Sequence, residues 1–282
     1  MNVGKDDEIR FLKSEIRRLR SIISGLSPSL ETMLKCRGFT VYKKEPRDDL
    51  LVPEKKYAEE FFEKLKKYSF RLFLRDVIKH QDSFSAEKVS RYATRQVSSQ
   101  YIDFLLRAGL AESFDSRYRL KKRPIRSFGA TLEWFVAGLI EREFQAETLW
   151  GVKFRRPDIG GDYDLIARVE SLIVYMEIKS SPPKQIYDKE IAAFLKRVED
   201  LAPDMSVFFV DTELRMKDKI VPMFEDALQR RYKNHIPVER IKKELFHINR
   251  KIFIINAKGG IASNFGTVLG FLLHKTPDMN AR

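Results

Sequence analysis

Apolar residues recur at helical spacing near the start of the chain, between residues 6 and 27. They fill the a and d positions of three heptads, and isoleucine at a with leucine at d favours a parallel two-stranded coiled coil. These positions are Ile9, Leu12, Ile16, Leu19, Ile23 and Leu26. The pattern predicts a homodimer formed through residues 1–28. An amphipathic helix packed on its own domain is the alternative, because three heptads alone are marginal.

Residues 29–126 alternate helical and strand patterns. A connecting segment, 29–56, predicts a short helix near 29–37 and a strand near 39–44. Residues 57–80 predict a long helix or a helix pair. Ser85 can cap a short helix over 86–93, and Thr94 can cap a longer one that ends at Gly109. The stretch "LAESFDSRYRL" then predicts two short strands around a turn. This order is typical of a winged helix-turn-helix over 57–126 with a basic linker at its end.

In a winged helix, the third helix enters the major groove of DNA by its N-terminal turns. The residues there that can contact phosphates or base edges are Arg95, Gln96, Ser98, Ser99 and Gln100. Basic residues of the wing and linker suit the DNA backbone: Arg117, Arg119, Lys121, Lys122 and Arg123. The alternatives are a protein-interaction module and an ordinary solvated basic surface.

Residues 127–282 predict a second domain with an α/β pattern. The predicted order is a helix (128–144), strands (147–155, 162–169 and 172–180), a helix (186–201) and a strand (205–211). A helix pair around 218–245, a strand near 246–256 and a last helix from about Ser263 follow. Helix, three strands, helix and strand in this order predict a mixed sheet with helices on it.

A hairpin within this domain carries charged residues on a strand that is otherwise apolar. If Glu170-Ser171 form a two-residue turn, Asp164 lies opposite Glu177. The side chains of Asp164, Glu177 and Lys179 then share one face of the hairpin. Converging charges on a buried hairpin cost free energy unless something compensates them, and a metal ion is one answer.

The helix at 128–144 contributes a further carboxylate. Glu133 lies within a stripe of apolar residues, so its side chain is expected to point at the sheet. Three carboxylates and one lysine therefore converge. Mg²⁺ prefers oxygen ligands and keeps several waters, and a lysine beside such a water can orient it or stabilise developing charge.

The stretches "GATLEWFVAGLIEREF" and "GGDYDLIARVESLIVYMEIKSS" resemble the PD-(D/E)xK nuclease superfamily. This superfamily has the restriction-endonuclease-like fold and includes archaeal Holliday junction resolvases and Mrr-type restriction enzymes. The resemblance covers roughly residues 127–277, and the predicted order agrees with the αβββαβ core of that fold. Glu133 matches the helix glutamate, Asp164 the hairpin aspartate, and Glu177-Ile178-Lys179 the (D/E)xK tripeptide.

The resemblance implies a Mg²⁺ site, which Mn²⁺ would also fill. Asp164, Glu177 and the carbonyl of Ile178 would bind the ion, with Glu133 assisting directly or through water. Lys179 would position or activate the attacking water. A literal Pro-Asp pair also occurs at Pro157-Asp158, but it would face residues beyond the strand, so Asp164 is the preferred aspartate. A surface hairpin in which Glu177 and Lys179 form an ion pair is the alternative without a catalytic site.

The composition of the chain indicates which classes of partner it can bind. The chain has 282 residues, and 53 Lys and Arg against 40 Asp and Glu give a formal net charge of +13. Such a balance favours polyanionic partners. No apolar run is long enough for a membrane span, no signal segment is visible, and the single cysteine excludes an internal disulfide. The expectation is a cytoplasmic protein without a membrane partner.

These patterns predict a metal-dependent endonuclease that hydrolyses duplex or branched DNA and works as a homodimer. The alternatives are a catalytically inert DNA-binding regulator or scaffold, and an RNA-directed nuclease.

Overall fold

An eight-stranded mixed sheet organises the described part of the chain. The computed structural model describes residues 28–89, 91, 93–155 and 161–274, together with isolated helical residues between 8 and 22. The helices are α1 (Leu30–Cys36), α2 (Lys55–Leu65), α3 (Tyr68–Lys79), α4 (Arg95–Arg107), α5 (Gly129–Phe144), α6 (Asp188–Leu201), α7 (Ile220–Tyr232) and α8 (Ile261–Leu273). The strands are β1 (Val41–Lys43), β2 (Ala111–Phe114), β3 (Arg117–Leu120), β4 (Glu147–Phe154), β5 (Tyr163–Val169), β6 (Leu172–Lys179), β7 (Met205–Val210), β8 (Glu239–Lys242), β9 (Leu245–Ile248) and β10 (Ile252–Asn256).

The large sheet has the strand order β1-β4-β5-β6-β7-β10-β9-β8. Strands β6, β7 and β10 run parallel to one another, and the other neighbours are antiparallel. The α/β class and the mixed sheet are therefore confirmed. The buried residues of α5 and α8 pack on one face of the sheet. Those of α1, α6 and α7 pack on the other.

The hairpin register follows the prediction. Val169 pairs with Leu172, and the ladder continues to Leu165 opposite Met176. Glu170, in the turn, has a φ of 54°, which suits the tight turns that join two antiparallel strands. Along this ladder, successive residues of β5 and β6 therefore point to opposite faces of the sheet.

The prediction for residues 218–256 is wrong in two respects. One helix, α7, takes the place of the helix pair, and it ends at Lys233 in the left-handed conformation. Pro237 disfavours helix in the residue before it, and β8 follows. The single strand predicted near 246–256 is a hairpin of β9 and β10. Asn249 and Arg250 form its turn, with φ values of 50° and 54°.

The helical region before residue 127 contains most of the predicted elements. Helices α2 and α3 form the predicted pair, and Thr94 caps α4 by accepting a hydrogen bond from the amide of Val97 at 3.3 Å. Strands β2 and β3 pair over their whole length. The helix predicted over 86–93 is wrong for the described residues, which form turns. A segment this short does not hold a helix by local interactions, and buried Val89 ties it to the core.

Apolar packing runs across the predicted domain boundary at residues 126 and 127. Buried residues from Leu51 to Ile125 join those from Phe128 to Leu269 in one hydrophobic cluster. A buried ion pair reinforces this contact, because Arg71 on α3 donates to both carboxylate oxygens of Asp211, just after β7, at 2.9 and 3.1 Å. The segment before it also joins the sheet, since β1 pairs with β4. The four-part division of the sequence stays a prediction.

The predicted coiled coil falls largely on residues outside the described set. Those heptad positions that the structure describes, Leu12, Ile16 and Leu19, are helical and exposed. Dimerisation through this segment stays a prediction. Among the described residues, no helix combines the length and apolar composition needed to cross a bilayer.

Candidate active site

Strands β5 and β6 separate at the end that carries the predicted catalytic residues. The ladder between them ends at Leu165 and Met176. Beyond this pair, the amide of Ile178 donates to Asp164 Oδ2 at 2.7 Å. The carboxylate thus replaces the backbone acceptor that a continued ladder would supply. On the other side of β5, β4 contains Gly151, whose φ is 57°, and its neighbours Trp150 and Val152 pair with Leu165 and Tyr163.

Glu177 is almost fully buried, with 2% of its surface exposed. Its Oε2 accepts hydrogen bonds from the hydroxyl of Tyr175 and from Arg197 Nη1 at 2.9 Å. Its Oε1 lies 2.9 Å from Lys179 Nζ. Both oxygens of this carboxylate are therefore held by donors, and two of those donors are cationic.

Lys179 bridges two carboxylates. Its Nζ contacts Glu177 and also Glu190 Oε1, the latter at 3.1 Å. Burial lowers the pKa of Lys179, but Glu177 and Asp164 raise it by more, so the pKa lies above its ordinary value. The amine is therefore a cation at neutral pH. It can donate hydrogen bonds and offset negative charge, but it does not accept a proton in this state.

Glu133 joins the group from α5. Burial raises its pKa to about 7, and the charges of Glu177 and Asp162 add to this against the opposing effect of Lys179. The pKa of Asp164 is also well above its ordinary range, through burial and then the charges of Glu177 and Glu133. The structure thus brings Glu133, Asp164, Glu177 and Lys179 together, as the sequence predicted.

The raised pKa of Glu133 predicts a pH-dependent stability. The folded protein holds this proton up to about pH 7, whereas the unfolded chain loses it near pH 4.5. The stabilisation of the folded protein by protonated Glu133 is therefore complete below pH 4.5 and is lost as pH rises through 7. We expect Glu133→Gln in EDTA to raise the free energy of unfolding at pH 8 by up to about 3 kcal/mol, reduced by solvent screening. At pH 4.5 the variant should match the wild type.

Urea unfolding at the two pH values measures this difference. Glu143→Gln is the matched control, because Glu143 is an exposed residue of the same helix. An equal change in the free energy of unfolding at both pH values would show that ionisation of Glu133 does not destabilise the folded protein.

The donor set fits a hard divalent cation by its chemistry. Glu133, Asp164, Glu177 and Glu190 supply four carboxylates, while Lys179 and Arg197 supply two cations. When all are ionised, an excess of two negative charges is left in a half-buried site. Among the described residues, however, no three His, Cys, Asp or Glu side chains are already arranged around a metal position. Glu177 is turned toward its cationic partners instead.

Sequence reasoning missed three side chains of this site: Tyr175, Glu190 and Arg197. Tyr175 shares a face of β6 with Glu177 by strand alternation. Glu190 and Arg197 lie seven residues apart on α6, which places them two turns apart on one helix face. The same helical-face argument that selected Glu133 could have found them.

The predicted DNA-contacting residues of α4 are mostly exposed. Arg95, Gln96, Ser99 and Gln100 are open to solvent, and Arg95 forms an exposed ion pair with Glu87 at 2.9 Å. The prediction for Ser98 is wrong, because this residue is fully buried. It lies on the helix face that also carries Tyr101, Ile102 and Leu105, which packs into the core.

The basic residues of β3 and the following linker differ in how far contacts within the protein engage their side chains. Arg119 contacts Glu112 at 2.7 Å, and Lys122 Nζ donates to the carbonyls of Arg47 and Leu50 at 2.5 and 3.0 Å. Arg123 lies 3.7 Å from Asp82. Arg117 and Lys121 are exposed, so they are the members of this group most open to a phosphate backbone.

The alternative aspartate, Asp158, lies outside the described residues. Asp162 forms an ion pair with Lys153 at 2.8 Å. Asp164 is the aspartate that the structure places beside Glu177 and Glu133.

Comparison with known proteins adds little to this picture. No protein-family model matches the sequence, and no curated protein matches it. Among solved structures, the chain is similar to Can2 from Sulfobacillus thermosulfidooxidans in complex with cyclic tetra-adenylate, with 15% identity and a TM-score of 0.48. That match covers 88% of this chain and 62% of the other. It is also similar to protein VC1899 from Vibrio cholerae, with 15% identity, a TM-score of 0.43, and coverage of 71% and 56%.

The chain thus spans less than two thirds of either matched structure. At these TM-scores, neither similarity supports an argument about function. An argument about function must therefore rest on the chemistry of the site itself.

Proposed function

We propose that this protein is a metal-dependent nuclease of the PD-(D/E)xK type, and that its substrate is DNA. The observation that carries the proposal is the convergence of Glu133, Asp164, Glu177 and Lys179 where β5 and β6 separate. Carboxylates whose pKa is raised by burial, and then by the charges of neighbouring carboxylates, are typical of sites that bind a cation or transfer protons. Hydrolysis would form a bond between a water oxygen and phosphorus and break the phosphorus–oxygen bond to one sugar, whose oxygen takes a proton.

Asp164, Glu177 and the Ile178 carbonyl would hold a Mg²⁺ or Mn²⁺ ion, with Glu133 assisting. When bound, such an ion activates water and offsets phosphate charge. Because Lys179 is a cation at neutral pH, its part is to orient the attacking water and to stabilise the charge that develops on the phosphate oxygens. Glu190 also contacts the amine of Lys179 and helps to keep this amine beside Glu177.

The helical region preceding α5 would dock the nucleic acid. Exposed Arg95, Gln96, Ser99 and Gln100 lie on the first turns of α4, where a winged helix contacts the major groove. A homodimer formed by the N-terminal helix would present two active sites, which suits cleavage of both strands of a duplex or branched junction.

An inert DNA-binding scaffold is the second candidate. It is favoured by the contacts of Glu177, whose two oxygens are held by Lys179, Arg197 and Tyr175. A carboxylate engaged in this way can serve the fold alone. Cleavage activity distinguishes the two candidates, and the preferred substrate distinguishes a DNA nuclease from an RNA-directed one.

The test is cleavage of labelled duplex DNA, single-stranded DNA, four-way-junction DNA and single-stranded RNA, with Mg²⁺ or Mn²⁺ against EDTA. We expect metal-dependent cleavage of DNA that falls about 100- to 1000-fold in Glu177→Gln. The control is Glu170→Gln, the same chemical change in the exposed turn of the same hairpin, which should cleave like the wild type.

Binding without cleavage on every substrate would favour the scaffold. Cleavage of RNA in preference to all DNA substrates would favour the RNA-directed nuclease. Equal activity in both variants would place the reaction elsewhere in the protein.

A further inference from the structure

A large aromatic side chain is exposed where α6 begins. Tyr187 directly precedes this helix and is 59% exposed. Its neighbour Ile186 is fully buried and packs into the core on the same side of the sheet as α6. The backbone is therefore anchored at Ile186, while the ring of Tyr187 is open to contact with a ligand.

Tyr187 is connected to the candidate catalytic lysine through one carboxylate. Its backbone amide donates to Glu190 Oε2 at 3.0 Å, and Glu190 Oε1 lies 3.1 Å from Lys179 Nζ. Pro182 and Pro183 restrict the backbone of the loop that joins Lys179 to Tyr187. The exposed ring therefore has a fixed attachment point beside the candidate site.

A lysine lies beside the aromatic ring. Lys219 Nζ is 5.9 Å from the centre of the Tyr187 ring. It donates to the carbonyls of Lys184 and Ile186 at 2.9 and 3.0 Å, which uses two of its three N–H donors. Among the described residues, no carboxylate forms an ion pair with this amine. Lys219 therefore keeps one donor and an uncompensated charge for an anion next to the ring.

The ring and the amine belong to one open groove of about 680 Å³. The other lining residues are Ile186, Asp188, Lys189 and Met223. Asp188 forms an ion pair with Arg230 at 3.2 Å, whereas exposed Lys189 has no ion pair with any described residue. The groove thus combines an aromatic surface with two lysines whose charges no described carboxylate neutralises.

Single-stranded nucleic acid is the ligand that suits this combination. Its bases stack on exposed aromatic rings, and its phosphates are attracted to lysines in the same groove. Within a continuous duplex, neighbouring base pairs cover the faces of each base, so a protein ring can stack only on a base that has left the duplex. The groove therefore favours a nucleotide that is not base-paired.

We propose that Tyr187 stacks on an unpaired base of the DNA substrate near the cleaved phosphate, while Lys219 contacts a phosphate beside that base. The proposal deepens the proposed nuclease function and rests on it for the identity of the nucleic acid. It assigns to the protein a preference for DNA with a single-stranded segment, such as an open end or a branch point, over continuous duplex.

A fluorescent base detects the stacking directly. Single-stranded DNA oligonucleotides that carry 2-aminopurine at one position each are titrated with protein in EDTA. We expect one position to be quenched by the wild type and by Tyr187→Phe, which keeps an aromatic ring, but not by Tyr187→Leu. Each of these proteins keeps the backbone amide that binds Glu190. Equal quenching by the leucine variant would overturn the proposal.

Anisotropy measures the contribution of the same contact to affinity. Tyr187→Leu should weaken binding of single-stranded DNA about tenfold, within the range for loss of one stacked base. It should have no effect on DNA that lacks the base at the quenched position, because the ring then has no partner. Tyr232→Leu is the matched control, because this exposed tyrosine contacts Glu199, about 18 Å from Tyr187 along α6.

Two results of this assay would overturn the proposal. An equal loss of affinity with the abasic DNA would show that the ring does not act on a base. An equal loss with continuous duplex would show that the contact does not require an unpaired nucleotide.

Lys219→Met tests the phosphate contact. It should lower the salt slope of binding to single-stranded DNA by about 0.7, as for loss of one phosphate contact on a single strand. Lys219→Arg keeps the charge and should keep the slope. Urea unfolding checks that each variant is folded under the binding conditions. A wild-type slope in folded Lys219→Met would overturn the assignment of Lys219.

The nuclease assay is a separate result. If wild-type protein cleaves DNA and Tyr187→Leu binds and quenches normally, only the stacking contact fails. If no substrate is cleaved but the stacking effects are found, the contact stands and the proposed nuclease fails.

Discussion

Replacing Lys179 by methionine is expected to reduce metal-dependent cleavage about 1000-fold, within the range for loss of a positioned catalytic group. Methionine keeps the approximate length of the side chain but removes the charge that contacts Glu177 and Glu190. A cation that orients the attacking water and stabilises developing negative charge acts mainly in the transition state. The loss should therefore fall on kcat rather than on KM.

Single-turnover cleavage of a labelled duplex measures this change, and anisotropy measures binding in parallel. Lys251→Met serves as the control, because Lys251 is exposed and precedes β10. Retained binding with lost cleavage supports the role assigned to Lys179. Cleavage by the Lys179→Met variant at the rate of the wild type would contradict this role, with or without a dependence on metal.

Asp211→Ala is expected to lower the free energy of unfolding by about 3–5 kcal/mol, the usual cost of breaking a buried ion pair from one side. Asp211 is fully buried and Arg71 is 2% exposed. Arg71 Nε and Nη2 both contact the carboxylate at 2.9 Å, and Arg75 forms a further ion pair with it. The variant leaves a buried guanidinium without its counter-ion.

The same substitution should impair the candidate site. The amide of Asp211 donates to the carbonyl of Lys179 at 2.8 Å, so the ion pair connects α3 to the strand end that carries the lysine. Urea unfolding measures stability, with Asp226→Ala as an exposed control on α7. An effect below 1 kcal/mol would show that Arg71 finds another partner or water.

The candidate site was largely accessible to prediction because strand and helix periodicity decide which side chains share a face. A two-residue turn at Glu170 was enough to relate Asp164 to Glu177, and the observed ladder has that register. The apolar stripe of α5 was enough to direct Glu133 toward the sheet. Both inferences use only local geometry, which depends on residues near in sequence.

The errors occurred where local patterns were ambiguous or where burial decided the outcome. The turn at Asn249-Arg250 divides an apolar run that looked like one strand. Ser98 has the polar side chain of a DNA-contacting residue, but the packing of α4 buries it. No pattern along the chain specifies which face of a short helix packs against the core.

The sequence alone determined the α/β class, the hairpin register and the identity of four converging site residues, because periodic spacing and turn length control these features. Only the tertiary structure decided that α6 adds Glu190 and Arg197, that Asp211 joins β7 to α3, and that one apolar cluster crosses the predicted domain boundary. These contacts join residues distant in the chain. Their formation depends on how buried surfaces pack together, which no local pattern specifies.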